Sequence, residues 1–210
     1  MSSTASSEYI LDTPQIRELI AEAHERMGTT ADDAERLELL KPTFQKLLQA
    51  DGWLPDKYAQ PADTTGMGGG IAAYALYRAA DASLCLFSFV IPAGATTPVN
   101  DHGSWGLVGI YRGRQEETYY DRTDDGSVEG KAVLEMKERQ TLDEGEFYPL
   151  LPGVRDIHTV GSQSDSATIS IHLLANDTGC VDRRQYDLQA QTVTAFRSGW
   201  SNVPCNDTTS

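Results

Sequence analysis

From about residue 71 onward, the chain is a succession of short apolar or alternating segments separated by clusters of glycine, proline and aspartate. Side chains of an extended strand point alternately to its two faces, so this pattern is typical of strands with one buried face. Many short strands with frequent turns indicate an antiparallel sandwich or barrel, and hence a mainly β fold. The predicted strands lie at 74–78, 84–91, 105–111, 116–121, 132–137, 147–150, 158–160, 168–174, 184–188 and 192–196.

The first quarter of the chain has helical periodicity instead. Thr13 and Pro14 suit the cap and first turn of a helix, and apolar residues then recur about every 3.6 residues, which predicts a helix over 14–27. A second helix is predicted from about Thr30, with acidic residues near its start that favour the positive end of the helix dipole. Pro42 falls inside this second pattern, and we expect it to kink or split the helix.

Length and composition favour one compact unit. The chain has 210 residues, of which 40% are hydrophobic, enough to bury a sizeable core. We expect residues 1–70 to form a helical segment packed on a barrel of residues 71–200. Residues 201–210 are expected to form a flexible tail.

The charge balance argues against a nucleic-acid partner. Lysine and arginine number 17, and aspartate and glutamate 31, which gives a net charge of −14. Binding to a polyanion needs a basic surface, so this composition excludes nucleic acid from the expected partners. The sequence has no apolar run long enough to span a membrane, and its start lacks the basic and apolar parts of a signal peptide. We therefore predict a cytoplasmic protein without a membrane partner.

The three cysteines, Cys85, Cys180 and Cys205, are scattered along the chain and form no CxxC pair. Disulfide frameworks and thiolate zinc sites use larger or more closely spaced sets of cysteines. The sequence therefore predicts free thiols in a reducing compartment.

Histidines are the most informative polar residues of the β region. Three of the four histidines, His102, His158 and His172, lie on or beside predicted strands. His172 shares one strand face with Ser170, whereas the intervening positions are apolar, so this strand would turn a polar face to the inside of a barrel. A single histidine is more often structural. Two such extended segments can nevertheless converge inside a small barrel and offer imidazole nitrogens to one divalent ion.

Two strings of the sequence resemble motifs of a known family. The string TPVNDHGSWGLVGIYRG, at 97–113, resembles the first motif of the cysteine dioxygenase family of thiol dioxygenases, within the cupin superfamily. The string PGVRDIHTVGSQSDSATISIHLLANDTG, at 152–179, resembles the second motif. The match runs from about Tyr74 to Asp187. It implies a cupin double-stranded β-helix, which is a jelly-roll barrel, with an N-terminal helical segment.

The resemblance implies a mononuclear iron site. The family's metal ligands are the histidines of an HxH pair and of a DIH string, so His102 and His158 would be metal ligands in this chain. Ser170 and His172 would form the hydrogen-bonded pair that lies behind the metal. Asn100 stands where the family has its first ligand histidine. An amide oxygen binds a first-row transition metal more weakly than imidazole, so Asn100 would complete the site weakly or leave the position to water.

Two further departures from the family mark a diverged member. Leu174 occupies the place of the tyrosine that completes the family's Ser-His-Tyr relay. Ala73 lies near the position of the family's carboxylate-binding arginine. The loss of that arginine argues against an amino-acid thiol such as cysteine as the substrate.

Other polar and aromatic residues are candidates for the site. Glu117 could join the two histidines in a two-histidine, one-carboxylate iron site, or be a solvated strand residue in an acidic protein. Tyr77, Trp105 and Tyr111 could line a substrate pocket or pack the barrel. We take Glu117 as a catalytic candidate, beside the serine–histidine pair, and the three aromatic residues as substrate-binding candidates.

These observations predict a mononuclear metal-dependent cupin enzyme. The first hypothesis is a non-heme Fe(II) oxygenase of the thiol-dioxygenase type that acts on a small thiol or carboxylic acid, with dioxygen as co-substrate. Nickel, manganese or zinc in place of iron would instead fit a lyase or isomerase that uses the metal as a Lewis acid. The alternative from another class is a cupin that binds a small ligand without turning it over. The sequence leaves the substrate and the oligomeric state open.

Overall fold

The computed structural model describes residues 7–205, which form two antiparallel sheets of six strands each and two α-helices. The helices are α1 (Pro14–Thr29) and α2 (Asp33–Gln49), and a short 3-10 helix spans Asp56–Tyr58. The strands are β1 (Glu8–Tyr9), β2 (Ala72–Arg78), β3 (Cys85–Ile91), β4 (Val99–Asn100), β5 (Gly106–Arg112), β6 (Gln115–Arg122), β7 (Leu134–Leu142), β8 (Phe147–Leu150), β9 (His158–Ser162), β10 (Thr168–Leu174), β11 (Arg183–Asp187) and β12 (Thr192–Phe196). Within this range, no helix has the length and apolar character needed to cross a membrane.

Both helices begin close to where the sequence predicts, because each has a capping side chain. The Thr13 hydroxyl accepts a hydrogen bond from a main-chain N–H of the first turn of α1 at 3.3 Å, and the Asp32 carboxylate caps α2. Pro42 lies inside α2 without splitting it, contrary to one of the two expectations. Leu40 and Phe44, on either side of the proline, are both fully buried. This packing offsets the main-chain hydrogen bond that proline cannot make.

Eight strands, β3 to β10, form the barrel. In the first sheet four of them are neighbours in the order β3-β10-β5-β8, and in the second sheet the order is β4-β9-β6-β7. This distribution of successive strands over two sheets is the jelly-roll order. The prediction of a mainly β, cupin-type double-stranded β-helix with an N-terminal helical segment is therefore confirmed. β1 and β2 extend the first sheet, and β11 and β12 extend the second.

The central strand β10 separates two interiors of the molecule. Alternation along β10 places Ile169, Ile171 and Leu173 in an apolar core shared with both helices. Ser170 and His172 point the other way, into the barrel, where they are hydrogen-bonded to each other. The helices thus cover the outer face of the first sheet and leave the inside of the barrel to other residues.

Two of the three cysteines form a disulfide, Cys180–Cys205, with Cα atoms 5.3 Å apart. The prediction of free thiols is therefore wrong for this pair and holds for Cys85, which is buried in β3. Local spacing gave no sign of the pair, because only the fold brings the end of the chain against the loop that follows β10. Burial raises the pKa of the Cys85 thiol to about 12, which leaves it protonated and unreactive.

The first part of the predicted tail lies against the barrel. Ser201 Oγ accepts a hydrogen bond from the main-chain N of Ala73 at 3.0 Å, and Asn202 Oδ1 accepts one from Ala75 N at 2.9 Å. Residues 206–210 of that predicted tail lie outside the described residues. The end of the described chain is therefore bound to the edge of the first sheet.

Candidate functional site

A cavity of about 20 Å³ lies inside the barrel. This volume suits one water molecule or one metal ion. Aromatic side chains form part of its wall, among them Phe87, Phe89 and Trp200. The polar residues that line it include Asn100, His102, His158, His172, Thr178 and Arg183.

His102 and His158, the two predicted metal ligands, come together at this cavity. His102 lies in the loop that follows β4, and His158 is the first residue of β9, where it is the Cα partner of Asn100 in β4. The two ring centroids are 4.9 Å apart and the ring planes are nearly perpendicular. Both side chains are buried, with 6% and 2% of their surface exposed. The barrel therefore juxtaposes two imidazoles that are distant in the sequence.

A buried carboxylate lies behind each of these rings. Glu117 Oε2 is 2.8 Å from His158 Nδ1, and Asp156 Oδ1 is 4.0 Å from His102 Nδ1. Neither contact has hydrogen-bond geometry, because the first is misaligned and the second is too long. Since each Nδ1 faces a carboxylate, Nε2 is the nitrogen left to face the cavity. In metal sites a ligating histidine commonly donates this ring N–H to a carboxylate, and the two carboxylates here stand on that side of the rings.

Glu117 is fully buried in β6 and is held by a tyrosine. Tyr148 Oη donates to Glu117 Oε1 at 3.0 Å, and Gln140 Nε2 donates to the neighbouring Tyr119 Oη at 2.7 Å. Burial raises the pKa of Tyr148 and of Tyr119, and the charge of Glu117 raises both further, so the two phenols stay protonated. The carboxylate is thus fixed between Tyr148 and His158, and Glu117 is not among the residues that line the cavity.

Burial keeps His102 and His172 neutral. Desolvation lowers the pKa of His102 well below its usual value of 6.5, and the charges of His158 and Arg183 lower it further. Burial likewise lowers the pKa of His172 to about 3. At neutral pH these rings therefore keep a nitrogen lone pair, which is the form of imidazole that binds metal ions.

Ser170 and His172, the predicted pair behind the metal, are neighbours on the barrel side of β10. Ser170 Oγ and His172 Nε2 are 2.8 Å apart, and both side chains are buried. The His172 ring stacks on Phe87 with centroids 4.6 Å apart, and its centroid lies 6.5 Å from that of His102. The pair therefore belongs to the first sheet and faces the histidines from the other side of the barrel.

Asn100, the third predicted metal ligand, is bound to an arginine that the sequence predictions missed. Arg183 Nη1 donates to Asn100 Oδ1 at 2.9 Å. The amide nitrogen of Asn100 donates to the main-chain oxygen of Pro98 at 3.0 Å. Because the amide oxygen already accepts from a cation, it is poorly suited to bind a second positive charge.

Arg183 is a buried cation whose hydrogen bonds go to neutral oxygens. Besides the bond to the asparagine, it donates to the main-chain oxygen of Asp101 at 2.8 Å and to Ser198 Oγ at 3.1 Å. Its Nε has no hydrogen-bond partner. Burial lowers the pKa of its guanidinium to about 10, so the group is still charged at neutral pH. A buried charge with an unused donor at a cavity wall is suited to bind an anion.

No local pattern singles out Arg183 in the sequence. Arg183 is the first residue of the string RRQYD. In a regular strand every second residue is buried, but here the buried residues are Arg183 and Tyr186, three positions apart. Its place at the cavity depends on the pairing of β11 with β4, the strand that precedes His102. Only the topology of the second sheet brings this arginine to the histidines.

The three predicted substrate-binding aromatic residues do not line the cavity; they lie on the helix side of the first sheet. Tyr77 Oη is hydrogen-bonded to His24 Nε2 at 2.8 Å. Trp105 lies under the guanidinium of Arg36, which is 4.8 Å from the ring centroid. Tyr111 is half-buried against the same apolar core. Of the two possibilities that the sequence left open, packing describes where all three side chains lie.

Strand alternation explains this placement. In β5, Leu107 and Tyr111 face the helices, and Trp105, two residues before Leu107, follows the same alternation. In β2, a bulge between Ala75 and Tyr77 turns the tyrosine to the helix side. These aromatic side chains therefore pack in the core under the helices.

The residues at the cavity fit a metal ion with two protein ligands. Among residues 7–205, no three His, Cys, Asp or Glu side chains are grouped so that they could hold a metal ion. The predicted two-histidine, one-carboxylate arrangement is not formed, because Glu117 stands behind His158. Two imidazoles beside a space for one ion remain as the donor set, and non-protein ligands would fill the other coordination positions.

No protein-family model matches the chain. Among solved structures, it resembles a Klebsiella pneumoniae protein with a double-stranded β-helix domain, at 11% identity and a TM-score of 0.42, over 70% of this chain and 97% of that one. It also resembles a cupin 2 conserved barrel domain protein from Salinispora arenicola, at 17% identity and a TM-score of 0.39, over 59% and 86% of the two chains.

Two further matches span less than two thirds of the other protein. The cupin domain of Schizosaccharomyces pombe Cnp3 matches at 16% identity and a TM-score of 0.38, over 50% of this chain and 61% of that one. An oxalate oxidase in complex with glycolate matches at 12% identity and a TM-score of 0.35, over 45% and 43% of the two chains.

Proposed function

We propose that the chain is a cupin metalloenzyme that binds one divalent metal ion through His102 and His158 and acts on a small anionic substrate, such as a carboxylic acid. The observation that carries this proposal is the meeting of two buried imidazoles, each backed by a carboxylate, at one cavity. The guanidinium of Arg183 borders the same cavity. Imidazoles of this kind bind a metal ion, and a guanidinium binds an anion.

Iron(II) is the metal that we propose first, because the two sequence motifs resemble those of thiol dioxygenases. When bound, iron supplies open coordination positions and redox chemistry toward dioxygen. Nickel, manganese or zinc, the alternatives, would supply Lewis acidity for a lyase or isomerase. The oxygenase, an oxidoreductase, is the first of these two proposals.

The chain's own residues would bind and orient the substrate. The family's carboxylate-binding arginine has no counterpart near Ala73, but Arg183 reaches the cavity from β11 with an unused Nε–H. The hydrogen bond to Asn100 fixes the guanidinium in place, so that an incoming carboxylate meets a preoriented donor. This arrangement favours a thiol carboxylate or a simple carboxylic acid over a neutral substrate.

Ser170 and His172 would hold a proton beside the reacting groups. Their 2.8 Å contact places one hydrogen between Oγ and Nε2. Because burial lowers the pKa of His172 to about 3, the ring does not take up a second proton at neutral pH. The pair can therefore orient a hydroxyl hydrogen without adding positive charge, and the surrounding aromatic wall excludes water.

Metal retention tests the proposal directly. The protein would be loaded anaerobically with Fe(II), freed of excess metal and analysed for its elements, beside His102→Ala, His158→Ala and the control Tyr77→Phe. We expect about one ion per chain in the natural protein and in the control, and loss of metal in both histidine variants. Unchanged metal content in His102→Ala would contradict the proposal. Retention of nickel, zinc or manganese in preference to iron would favour the lyase or isomerase.

A second candidate function is a non-catalytic cupin that binds a small ligand. It is favoured by the bond between Asn100 and Arg183, which occupies the position of a third metal ligand. The substitution Asn100→His separates the two candidates. If it creates iron binding and oxygen uptake that the natural protein lacks, the binding protein is supported. If it abolishes an activity of the natural protein, Asn100 belongs to the enzyme's mechanism.

A further inference from the structure

The cavity is too small for the substrate class proposed above. Its volume of about 20 Å³ holds one water molecule or one ion, whereas small-molecule pockets enclose roughly 300 Å³ or more. Even a substrate of a few heavy atoms therefore enters only if part of the wall moves. The barrel strands are fixed by their hydrogen-bond ladders, whereas segments outside those strands can move without breaking a ladder.

One such segment is the C-terminal strap, which we define as residues 198–205. Ser198 and Trp200 of the strap line the cavity, and the Trp200 ring centroid is 5.1 Å from that of Phe87. The strap contains no helix or strand. Its displacement would remove an aromatic wall from the cavity without disturbing either sheet.

Hydrogen bonds hold the strap to the edge of β2. Ser201 and Ala73 exchange two of them, at 2.7 and 3.0 Å. The Asn202 amide bonds the main-chain N–H and C=O of Ala75, both at 2.9 Å. Further bonds join the strap to neighbouring segments, from Gly199 N to Gly179 O at 2.9 Å and from Gly66 N to Ser198 O at 2.7 Å. A segment without a strand ladder opens more readily than a strand at the centre of a sheet.

The disulfide joins the strap to another part of the same wall. Cys205 ends the strap, and Cys180 lies two residues after Thr178, which also lines the cavity. Trp200 lies so close to Gly179 that a Cβ at that position would be 2.4 Å from the indole ring. The indole Nε1 also donates to Asp177 Oδ1 in that loop at 2.9 Å. The covalent bond and this hydrogen bond together hold the indole against the loop that follows β10.

We propose that the Cys180–Cys205 disulfide is a redox latch on this cavity: the oxidised form keeps Trp200 in the wall, and reduction frees the strap and admits the substrate. The inference rests on the proposed function, which makes this cavity the substrate site. The step is an exchange with a dithiol, which loses two electrons and two protons as its sulfurs join, while the Cys180–Cys205 bond becomes two thiols. In a reducing compartment, such as the cytoplasm that the sequence predicts, the latch is open.

Hydrogen–deuterium exchange tests the latch without any ligand. The main-chain amides of Ala73 and Ala75 donate hydrogen bonds to the strap. Their hydrogens therefore exchange with solvent when the strap moves away from β2. We expect their exchange to become about tenfold faster, or more, when dithiothreitol reduces the protein, because the cross-link no longer restrains the strap. Amides of β10, in the centre of the first sheet, are the control and should stay protected. Unchanged exchange at the two alanines would overturn the proposal.

The double variant Cys180→Ser with Cys205→Ser shows whether this disulfide is the one that matters. Its two alanine amides should exchange as fast as in the reduced natural protein, and added reductant should change nothing. If reductant accelerates exchange in the double variant as well, the effect does not come from the latch, and the proposal fails.

Carboxylate binding separates the latch from the proposed function. Association of acetate and of benzoate would be measured with the oxidised natural protein and with the double variant, since dithiols themselves bind metal ions. We expect benzoate to associate at least about tenfold faster with the double variant. If exchange rises but benzoate associates equally fast with both proteins, the latch is overturned. If exchange rises and neither carboxylate binds either protein, the latch stands and the proposed carboxylate substrate is wrong.

Discussion

The two faces of β10 border different interiors of the molecule. Ile169, Ile171 and Leu173 point to the helices and are at most 1% exposed in an apolar core. Ser170 and His172 alternate with them and point into the barrel, where His172 borders a cavity. The strict alternation of one strand therefore divides the molecule into a face that holds the fold together and a face that carries polar groups.

The faces also differ in what their buried polar atoms border. Both sides contain buried polar atoms without hydrogen-bond partners, such as Arg36 Nε and Trp53 Nε1 on the helix side. On the barrel side, His102 Nδ1, His172 Nδ1 and Arg183 Nε belong to residues that line the cavity. Buried polar groups without partners at a cavity are suited to meet a ligand. The comparison predicts that substitutions on the two faces have separable effects on stability and on binding.

The largest effect on stability is expected on the helix face. Ile171→Ala removes a fully buried side chain from the core, and we expect it to lower the free energy of unfolding by about 2–5 kcal/mol. Metal retention by the protein that remains folded should not change, because Ile171 points away from the cavity. Urea unfolding followed by circular dichroism measures the first effect and elemental analysis the second. Loss of metal from folded Ile171→Ala would show that the two faces are not separable.

The next effect concerns binding on the barrel face. Glu117→Gln keeps the size of the side chain but removes the charge that lies 2.8 Å from His158 Nδ1. We expect metal affinity to fall by about 10- to 100-fold, as is typical when a group behind a ligating histidine is changed. Glu116→Gln is the matched control, since Glu116 is the neighbour on the same strand and pairs with the exposed Arg139. Titration against a competing chelator measures both, and equal affinities for the two variants would refute a positioning role for Glu117.

The sequence was sufficient to predict the barrel and the helices, because both follow from local periodicity. The period of two in β10 correctly predicted which of its residues face inward. The two histidines that the motifs single out meet at one cavity, and their role as metal ligands stays a prediction. The same period in β5 also pointed Trp105 and Tyr111 to the face opposite Val108, but the sequence alone did not say which face the helices cover.

What the sequence could not show depends on contacts between distant segments. Arg183 reaches the cavity because β11 pairs with β4, and Cys205 meets Cys180 because the chain returns to the loop after β10. Pairing of this kind has no signature in local spacing. The sequence likewise could not show that the amide oxygen of Asn100 accepts a hydrogen bond from Arg183.

Acid sensitivity should also belong to the barrel face. Burial lowers the pKa of His172 from 6.5 to about 3, so between these pH values the unfolded chain binds a proton that the native protein does not. Stability therefore falls as pH decreases through this window, by up to about 1 kcal/mol per pH unit for this group. His172→Gln should make the decline shallower between pH 6 and pH 4, roughly by that amount. Urea unfolding at a series of pH values measures it, and parallel curves for the two proteins would contradict the assignment.

The smallest effect is expected from Tyr77, which the sequence suggested as a substrate-binding residue and the structure places under the helices. Tyr77→Phe removes the hydroxyl that is hydrogen-bonded to His24 at 2.8 Å and leaves the ring in its packing. We expect a loss of about 1 kcal/mol in the free energy of unfolding. Metal retention and carboxylate binding should stay as in the natural protein, because the ring lies on the far side of the first sheet from the cavity. A weaker affinity for carboxylates in Tyr77→Phe, without a change in stability, would mean that the substrate reaches the helix side. The division of the molecule into a structural and a functional face would then be wrong.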